Sequence, residues 1–389
     1  MVEWKPLYKL VKSISTGLNP RQNFILNEED ASLYYVTVKE ITTNKVVFSE
    51  STDRITENAK QIINNRSKLS KGDILFSGIG TIGKVAYVDI PTSNWDCSES
   101  VFLIKPNELE TKGKYLAYIL SSDIAKNQYE RGAAGAIMKG VRKATLESLL
   151  IPIPSLPEQQ RIVEQLDTFT NSIENLKEQI AQRRKQYEYY RDQLLDLEGK
   201  PGVEMNMLGE VCGIFDGTHQ TPNYVESGIK FVSVENIKDI YSSCKYISIE
   251  DYQKNYKTKP QKGDVLMTRI GDVGSCALVD GDEPIAYYVS LALLRPSFNI
   301  VLSNYVKYIL ESKTGKIELR KRTLLTAVPL KINLGDIGKI KLPFPDISTQ
   351  SRIVSILDTF EASIQNLEAQ LAQREKQYEY YRNKLLTFE

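Results

Sequence analysis

Two stretches of the chain carry apolar residues at alternating spacings of four and three positions. The first runs through Ile162, Leu166, Phe169, Ile173, Leu176, Ile180, Arg183, Tyr187, Tyr190, Leu194 and Leu197, and the second through Ile353, Leu357, Phe360, Ile364, Leu367, Leu371, Arg374, Tyr378, Tyr381, Leu385 and Phe388. Such a heptad pattern is typical of a helix that packs along a second helix. It keeps its phase for about 40 residues, which corresponds to helices about 60 Å long. Because either stripe alone would be exposed to water, we predict that the two helices pack on each other.

The stretches that precede the two helices have a different pattern. Short runs rich in β-branched and aromatic residues alternate with turns, at 34–39, 73–76, 84–89 and 101–105 in the first half and at 230–234, 264–267, 276–279 and 291–295 in the second. One apolar segment typical of a helix follows in each half, at 115–120 and 305–310. These patterns predict a small α+β domain in front of each long helix.

The chain is an internal duplication. Residues 151–198 align without a gap on residues 342–389, a shift of 191 positions, and 28 of the 48 positions are identical. The same shift aligns the weaker pair 71–83 and 262–274. We therefore predict two diverged domains at 1–154 and 200–344, and two closely similar helical segments at 155–199 and 345–389.

The composition argues against several classes of protein. His219 is the only histidine, and Cys97, Cys212, Cys244 and Cys276 form no Cys-x-x-Cys pair, which argues against a zinc site or a histidine-based triad. Sequences typical of a methyltransferase site, a Walker A loop or a nuclease cluster are missing. Because these motifs are missing, we expect that the chain performs no chemistry itself. It also lacks a long apolar stretch and the apolar centre of a signal peptide, so we expect a cytoplasmic protein.

Charge separates the domains from the helices. Residues 1–157 have 20 Lys and Arg against 17 Asp and Glu, and residues 205–345 have 18 against 15. Residues 158–204 have 7 against 10, and residues 346–389 have 5 against 7. Mildly basic domains and acidic helices are compatible with DNA contact by the domains.

Residues 78–83 match Gly-x-Gly-x-x-Gly, the pattern of a nucleotide-binding loop. That motif requires a helix to follow, whereas residues 84–89 read as a strand and the second copy has Arg269 in place of the first glycine. The sequence predicts a hairpin turn, either purely structural or approaching DNA. Its candidate DNA contacts are Ser77, Ile79, Thr81 and Lys84 in the first copy, and Thr268, Arg269 and Asp272 in the second.

Two basic stretches fall at comparable positions of the halves, 131–143 and 320–331. Their candidate DNA contacts are Arg131, Lys139, Arg142, Lys143, Lys321, Arg322, Thr323 and Lys331; the alternative is an exposed solubilising loop. The polar segment 216–222 adds Thr218 and His219, with a structural loop as the alternative. Arg21 lies in a comparable early segment, 17–23, of the first half.

Near-identity of the two helices extends beyond the seam to their expected outer faces. The positions concerned are Gln182, Lys185, Gln186 and Arg191, with Gln373, Lys376, Gln377 and Arg382 as counterparts. A helix pair alone does not require identical outer residues. We therefore interpret these positions as a docking surface for a partner protein.

The motif Pro-x-Pro-x-Leu-x-Glu-Gln at 152–159, the heptad helix ending near Tyr190 and Leu195, and the duplication of both after a diverged domain resemble the specificity subunit of type I restriction-modification systems. The second copy departs from the motif, with Ser348-Thr-Gln350 where the first has Pro157-Glu-Gln159. The resemblance covers essentially the whole chain; its motifs are specific in the helices and loose in the domains.

The resemblance implies an α+β chain with pseudo-two-fold internal duplication, in which two target recognition domains of mixed β-sheet with helices are separated by an antiparallel coiled coil. Each domain would read half of an asymmetric site in double-stranded DNA. The helices would set the spacing and dock methyltransferase subunits, two being expected, beside restriction and translocase subunits. S-adenosylmethionine, ATP and magnesium would then be bound by those partners and no cofactor by this chain. The alternative is a coiled-coil scaffold that binds proteins without reading DNA sequence.

Overall fold

The structure is a computed structural model that describes residues 2–21, 23–42, 44–132 and 140–388. It divides into two compact units. Unit 1 comprises Met1–Leu176 and Gln370–Glu389, and unit 2 comprises Lys177–Ala369. Each unit therefore contains one globular domain, the beginning of the helix that follows it, and the end of the other long helix.

Unit 1 is an α+β domain followed by a long helix. Its strands are β1 (Glu3–Pro6), β2 (Val11–Thr16), β3 (Leu33–Val36), β4 (Arg54–Ile55), β5 (Ile74–Ser77), β6 (Val85–Tyr87), β7 (Trp95–Cys97), β8 (Val101–Pro106) and β9 (Leu150–Ile153). Its helices are α1 (Glu57–Asn64), α2 (Gly113–Leu120), α3 (Asp123–Gly132), α4 (Lys143–Glu147) and the first part of α5 (Leu156–Leu194).

The strands of unit 1 form two sheets and a separate pair. One sheet has the order β2-β8-β5-β6 and is antiparallel throughout. The other has the order β4-β3-β7, in which β3 and β7 run parallel. Strand β1 pairs with β9, which joins the start of the domain to the entry of α5. Apolar side chains of the antiparallel sheet, α2 and α5 form one core, whose fully buried members include Phe76, Tyr115 and Leu166.

Unit 2 repeats this architecture. Its strands are β10 (Glu204–Met207), β11 (Cys212–Asp216), β12 (Ile229–Val232), β13 (Tyr246–Ile247), β14 (Val265–Thr268), β15 (Cys276–Leu278), β16 (Ile285–Tyr287), β17 (Leu291–Pro296), β18 (Thr323–Leu324), β19 (Lys331–Ile332) and β20 (Lys341–Phe344). Its helices are α6 (Leu208–Val211), α7 (Ile249–Asn255), α8 (Ser303–Glu311), α9 (Lys313–Arg322), α10 (Leu334–Ile337) and the first part of α11 (Ile347–Leu386).

The sheets of unit 2 correspond to those of unit 1. The antiparallel sheet has the order β11-β17-β14-β15, and the mixed sheet has the order β13-β12-β16 with β12 and β16 parallel. Strand β10 pairs with β20, as β1 does with β9. Unit 2 also contains a short hairpin in which β18 pairs antiparallel with β19. Duplication in sequence is thus duplication in fold.

The two long helices pack antiparallel. In unit 2, Tyr187 of α5 donates a hydrogen bond to Glu361 of α11 (3.2 Å), and Arg184 pairs with Glu368. In the same unit the ring of Tyr190 stacks on Phe360 at 5.5 Å, and in unit 1 Tyr381 stacks on Phe169 at 5.2 Å. These two stacks join the same pair of positions in the repeat. The heptad pattern therefore predicted the pairing of the helices correctly.

Seam arginines accompany both stacks. Arg183 lies 5.8 Å from the centre of the Phe360 ring in unit 2, and Arg374 lies 5.9 Å from the centre of the Phe169 ring in unit 1. The charge stays near water while the aliphatic stem packs along the seam. The two arginines therefore occupy equivalent positions of the repeat and contact equivalent rings.

Each domain is fastened to the helix that follows it by equivalent polar contacts. Tyr118 donates to Asp167 (2.6 Å) in unit 1, and Tyr308 donates to Asp358 (2.6 Å) in unit 2. Burial beside the carboxylate raises the pKa of both tyrosines, so both remain protonated donors. A buried glutamine, Gln159 or Gln350, accepts a backbone hydrogen bond from the loop before α2 or α8. These contacts fix the direction in which each domain meets its own helix.

The strands and helices expected in the globular parts are present, with ends shifted by a few residues. The strands outside the expected runs were missed, among them β1, β9, β10 and β20, which close each domain at its junction with a long helix. Among the residues that the structure describes, no helix combines the length and the apolar character that crossing a membrane requires.

Candidate nucleic-acid interface

The first glycine turn, residues 78–83, joins β5 to β6 as a hairpin. Gly80 and Gly83 have φ of 80° and 83°, a left-handed conformation that glycine adopts without strain. The Ser77 hydroxyl donates to Thr81 O (2.6 Å) and accepts from the Lys84 N–H (2.7 Å), so it holds the turn from inside. A strand follows and no helix does, which excludes the nucleotide-loop reading of the motif.

The second glycine turn, residues 269–274, is built in the same way between β14 and β15. Gly271 and Gly274 have φ of 81° and 103°. The Thr268 hydroxyl donates to Asp272 O and accepts from the Gly274 N–H (3.1 Å) and the Ser275 N–H (2.9 Å). A buried hydroxyl at the same position therefore shapes both turns.

A helix and a following segment pack on each turn. In unit 1, the Tyr129 ring of α3 occupies the space beside Gly83, and the Val141 N–H donates to Gly78 O (2.9 Å). In unit 2, Leu319 of α9 occupies the space beside Gly274, and the Gly271 N–H donates to Leu330 O (2.8 Å). The structure thus brings the turns and parts of the basic stretches together, although about 60 residues separate them in sequence.

In unit 2 a third segment joins this group through an ion pair. Arg269 of the turn donates to Asp216 (2.6 Å), and Nε2 of His219 lies 2.8 Å from the other oxygen of the same carboxylate. The Arg269 side chain is only 13% exposed and the Asp216 side chain 26%. Tyr287 donates to the backbone oxygen of Asp216 (2.9 Å), which holds the backbone at this position. Arg269 therefore fastens the second glycine turn to the end of β11.

We expect Asp216→Ala to lower the free energy of unfolding by about 2 kcal/mol, because it leaves a largely buried guanidinium without its carboxylate. His219→Ala is the matched control, since His219 is 71% exposed and removing it leaves the pair with Arg269 intact. Chemical denaturation of both variants measures the difference. Equal stability of the two variants would contradict this role of Asp216.

The remaining loop candidates lie near the parallel strands. Gly17 packs against the backbone at Cys97 and Gly217 against the backbone at Tyr288, so each loop crosses its mixed sheet closely. Arg21 is exposed in the turn after β2. Thr218 is half-buried and bonded to the backbone of Tyr287, whereas His219 is exposed. With α7, the second loop lines a polar cleft formed by Thr218, Gln220, Thr221, Pro222, Asn223, Asp251, Asn255 and Tyr256.

The basic candidates differ in what holds them. Arg131 is exposed at the end of α3 and Arg142 precedes α4, while Lys143 pairs with Glu147 (3.6 Å). At the end of α9, Glu318 pairs with both Lys321 and Arg322, and the Thr323 hydroxyl donates to Leu319 O (2.8 Å). Lys331 is exposed beside the second glycine turn, where its backbone forms an isolated antiparallel β-bridge with Ile270. Lys139 lies outside the described residues.

Several candidates do not face solvent as a DNA contact requires. Ser77 and Thr268 are buried, and their hydroxyls are used within their own turns. Lys84 is half-buried and donates to Val38 O (2.9 Å). By contrast, Ile79, Thr81 and Asp272 are exposed at the tips of the turns. The predicted DNA contacts of Ser77, Thr268 and Lys84 therefore stay predictions, and in the structure the polar groups of these side chains are bonded to the backbone of their own domains.

The outer-face positions of the long helices also divide. Gln182, Lys185, Gln186, Gln373 and Lys376 are exposed, as predicted, and Gln377 is half-buried with a hydrogen bond from Arg374 (3.0 Å). Arg191 is buried and Arg382 nearly so, each lying over the ring of a tyrosine one turn earlier, Tyr187 or Tyr378. An outward position is wrong for these two arginines, because helices of their own unit cover them.

Sequence reasoning missed two exposed tyrosine pairs. Tyr189 and Tyr190 are 61% and 47% exposed in unit 2, and Tyr380 and Tyr381 are 60% and 41% exposed in unit 1. The rings of each pair meet edge to face, and one ring of each pair also stacks on the opposite helix. The signal was available in the repeated Tyr-Glu-Tyr-Tyr sequence, which reads equally well as part of the seam.

Comparison with known proteins decides the family. Residues 5–183 and 201–375 match the family described as "Type I restriction modification DNA specificity domain". The chain belongs to the type I restriction-modification DNA specificity family. Among curated relatives, the specificity subunit of an Escherichia coli type I restriction enzyme is 26% identical over 413 aligned positions, which cover 100% of this chain and 94% of the relative.

Two solved structures from type I restriction-modification systems share the fold. The S subunit of a type I restriction-modification system from M. genitalium matches with a TM-score of 0.58 at 17% identity. The match covers 100% of this chain and 97% of that S subunit. A chain from a structure of a type I R-M system has a TM-score of 0.60 at 21% identity and covers 99% and 96%. The resemblance to type I specificity subunits is thus confirmed, as are the predicted α+β duplication and the packed helices.

Proposed function

We propose that this specificity subunit reads a bipartite DNA site, one part with the domain of each unit. The observation that carries the proposal is the convergence in each domain of a glycine turn with the segment after α3 or α9. Exposed side chains at the turn tips are supported by buried hydroxyls beneath them, which is how a loop is held to approach base edges. The mildly basic charge of both domains adds attraction to phosphate.

The two domains present different chemistry at equivalent turn positions. Thr81 is exposed at the tip of the first turn, whereas Asp272 is exposed at the corresponding position of the second. Different donors and acceptors at corresponding positions read different bases. The recognised site is therefore asymmetric, with one part belonging to each domain.

Exchanging residues 1–150 for those of another family member is expected to change one part of the recognised site and leave the other unchanged. Genome-wide mapping of methylated adenines, with the partner subunits present, measures this directly. The control is the unexchanged chain mapped in the same cells. A change in both parts, or the same site after exchange, would contradict independent reading by the two domains.

The proposal assigns spacing to the long helices. Each domain is fixed to its own helix by the Tyr118–Asp167 or Tyr308–Asp358 contact, and the seam joins α5 to α11. A continuous helix of 39 or 40 residues is stiff over about 60 Å. The helices then hold the two readers at a set separation, which gives the DNA site a set gap.

We further propose that the exposed faces of the helices dock methyltransferase subunits. Tyrosine is enriched at protein interfaces because a large ring is buried with little loss of rotamer freedom. The pairs Tyr189–Tyr190 and Tyr380–Tyr381 are repeated along with exposed Gln182, Lys185, Gln186, Gln373 and Lys376. Two equal surfaces support two copies of the partner.

Replacing Tyr189 and Tyr380 with alanine is expected to weaken assembly with the methyltransferase subunit by about tenfold or more, as for exposed aromatic anchors. Gln193→Ala is the matched control, an exposed position of α5 at which the second helix has Lys384. Light scattering of the mixed subunits gives the affinity, and circular dichroism of the chain alone tests folding. Assembly that is unchanged in the double variant would contradict docking on these pairs.

Methylation and cleavage belong to the partners in this proposal. S-adenosylmethionine, ATP and magnesium would be bound there, while this chain supplies recognition and spacing. The predicted contacts of Arg21, Arg131, Lys139, Arg142 and Lys331 with DNA are part of the same proposal. The cytoplasm, where its DNA lies, is the expected compartment.

A further inference from the structure

The loop between β18 and β19 exposes an apolar surface. Leu324, Leu325 and Leu330 are 39%, 53% and 41% exposed, and Val328 is 100% exposed. The sequence of residues 324–330 is Leu-Leu-Thr-Ala-Val-Pro-Leu, which contains no charged residue. Contiguous apolar side chains in water are unfavourable, so they commonly mark a surface that contacts something else.

The base of this loop is firmly held. Thr323 pairs with Ile332 and Leu324 with Lys331 in the hairpin, and Ile332 is buried. The Ile332 N–H donates to Arg269 O (3.0 Å), and Leu330 O accepts from the Gly271 N–H (2.8 Å). The apolar tip is therefore presented beside the second glycine turn on an anchored frame.

Cations flank the apolar tip on both sides in sequence. Residues 318–331 contain Arg320, Lys321, Arg322 and Lys331 and one acid, Glu318, which gives a net charge of +3 over this segment. Glu318 pairs with Lys321 and Arg322, whereas Arg320 and Lys331 are exposed. An apolar tip inside a cationic frame fits a partner whose outside is anionic and whose interior is apolar. Double-stranded DNA has this distribution, with phosphates outside and stacked bases within.

We propose that the apolar tip of residues 324–330, and above all Leu325 and Val328, is a wedge that enters a DNA groove and opens a base step. Proteins that insert Leu, Ile or Pro side chains between bases unstack one step and bend the duplex there. The inference rests on the proposed function, since the wedge acts within the part of the site that unit 2 reads. It adds recognition through deformability of a step to recognition through base edges.

The test uses the complete complex with its partner subunits and the DNA site found by methylation mapping. The fluorescent base 2-aminopurine, which pairs with thymine and brightens when unstacked, replaces each adenine of either strand in turn within the part read by unit 2. The variant is Leu325→Ser with Val328→Ser, two side chains exposed enough that their loss leaves the core intact. Ile249→Ser is the control, an apolar residue 60% exposed at the start of α7.

We expect the complex with the unsubstituted chain to brighten the probe at one step, and the double variant to lose that signal. The variant should bind its site about tenfold more weakly, as when one base loses a stacking side chain. Its dependence of affinity on salt should stay unchanged, because the wedge neutralises no phosphate. Lys331→Gln should instead make the salt dependence shallower by about one phosphate contact. A probe that replaces an adenine flipped out by a methyltransferase partner brightens in every variant. This independence of the variant distinguishes it from a probe at the step opened by the wedge.

Sequence-selective binding without any step-specific brightening would overturn the wedge and leave the proposed function standing. Equal affinity and equal brightening in the double variant and in Ile249→Ser would overturn it as well. If the double variant instead fails to assemble with the partner subunits, the tip is a protein contact. A complex with no sequence-selective binding at all would overturn the proposed function together with the wedge.

Discussion

A Gly17→Ala chain is expected to lose about 3 kcal/mol or more of the free energy of unfolding of unit 1, the upper range for an overpacked site. A Cβ atom at this position would lie 1.7 Å from Cys97 O and 2.4 Å from Cys97 C. Both are backbone atoms of β7, so no side chain can rotate away. Either the loop after β2 or the parallel pair of β3 and β7 must move.

The two tryptophans of the chain make this loss measurable for unit 1 alone. Trp4 and Trp95 both belong to that unit, and Trp95 is buried in β7 beside Cys97. Denaturation of the full chain followed by tryptophan fluorescence therefore reports unit 1. Gly140→Ala is the matched control, because its Cβ would meet the nearest atom at an ordinary 3.5 Å. Similar denaturation midpoints for Gly17→Ala and Gly140→Ala would contradict the prediction, because they would show that the loop after β2 moves at little cost in free energy.

The loop that contains Gly17 has a counterpart in unit 2. Gly217 makes the equivalent approach in unit 2, where a Cβ would lie 2.5 Å from the backbone of Tyr288. Asp216 ends β11 and His219 lies in the loop that follows, and Arg269 ties the end of β11 to the second glycine turn. A glycine thus lets each of these two loops lie directly on its mixed sheet.

The long helices and the glycine turns could be predicted from the sequence because local pattern determines them. A heptad stripe of about 40 residues has one low-energy arrangement, which is pairing with another such stripe. Two glycines at fixed spacing between β-like runs likewise favour a hairpin. Duplication then predicted the second unit from the first.

Long-range pairing could not be predicted in the same way. Arg269 and Asp216 are 53 residues apart, and nothing in either segment indicates that an ion pair will remove Arg269 from the surface. Arg191 is similar: Asp192 accepts from the Lys313 N–H (3.0 Å), so the start of α9 lies on the end of α5 and covers the arginine. Heptad phase alone places Arg191 outside, because it contains no information about the domain that packs there.

The junction strands were missed for a related reason. Strand β9 includes Pro152, and strand β1 pairs with it from almost the other end of the domain. Proline cannot donate a backbone hydrogen bond and is confined to the edges of sheets, so a run that contains it is a weak sequence signal for a strand. The pair is such an edge, with β1 as its single partner in the sheet order.

The second large effect is expected from Asp96, which is fully buried in β7. One oxygen accepts from the Cys97 N–H (2.8 Å), and the other has no hydrogen-bond partner in the structure. Burial raises the pKa of Asp96 from 3.8 to about 7, although Lys60 and Lys105 act in the opposite direction. The equivalent position in unit 2 is Ala286, which faces Phe231 across the parallel pair as Asp96 faces Tyr35. The fold therefore does not need a carboxyl group at this position.

The pH dependence follows from the direction of this shift. A carboxyl whose pKa is raised by folding binds its proton more tightly in the folded state, so stability falls as pH rises from about 4 to about 7 and is constant above. The difference between the two pKa values corresponds to about 4 kcal/mol at full effect, as an order of magnitude. Asp96→Asn removes the charge and keeps the hydrogen bond from Cys97, so we expect it to stabilise unit 1 at pH 8 and to change little near pH 4.

Tryptophan fluorescence during denaturation at a series of pH values separates this effect from packing. Asp96→Ala, which copies unit 2, should show the same loss of pH dependence with a small constant offset for the missing side chain. Asp89→Asn is a control for general charge effects, because Asp89 is exposed in the loop after β6. If Asp96→Asn keeps the slope of the unsubstituted chain between pH 4 and pH 7, the carboxyl reaches water in solution and its burial does not govern its protonation.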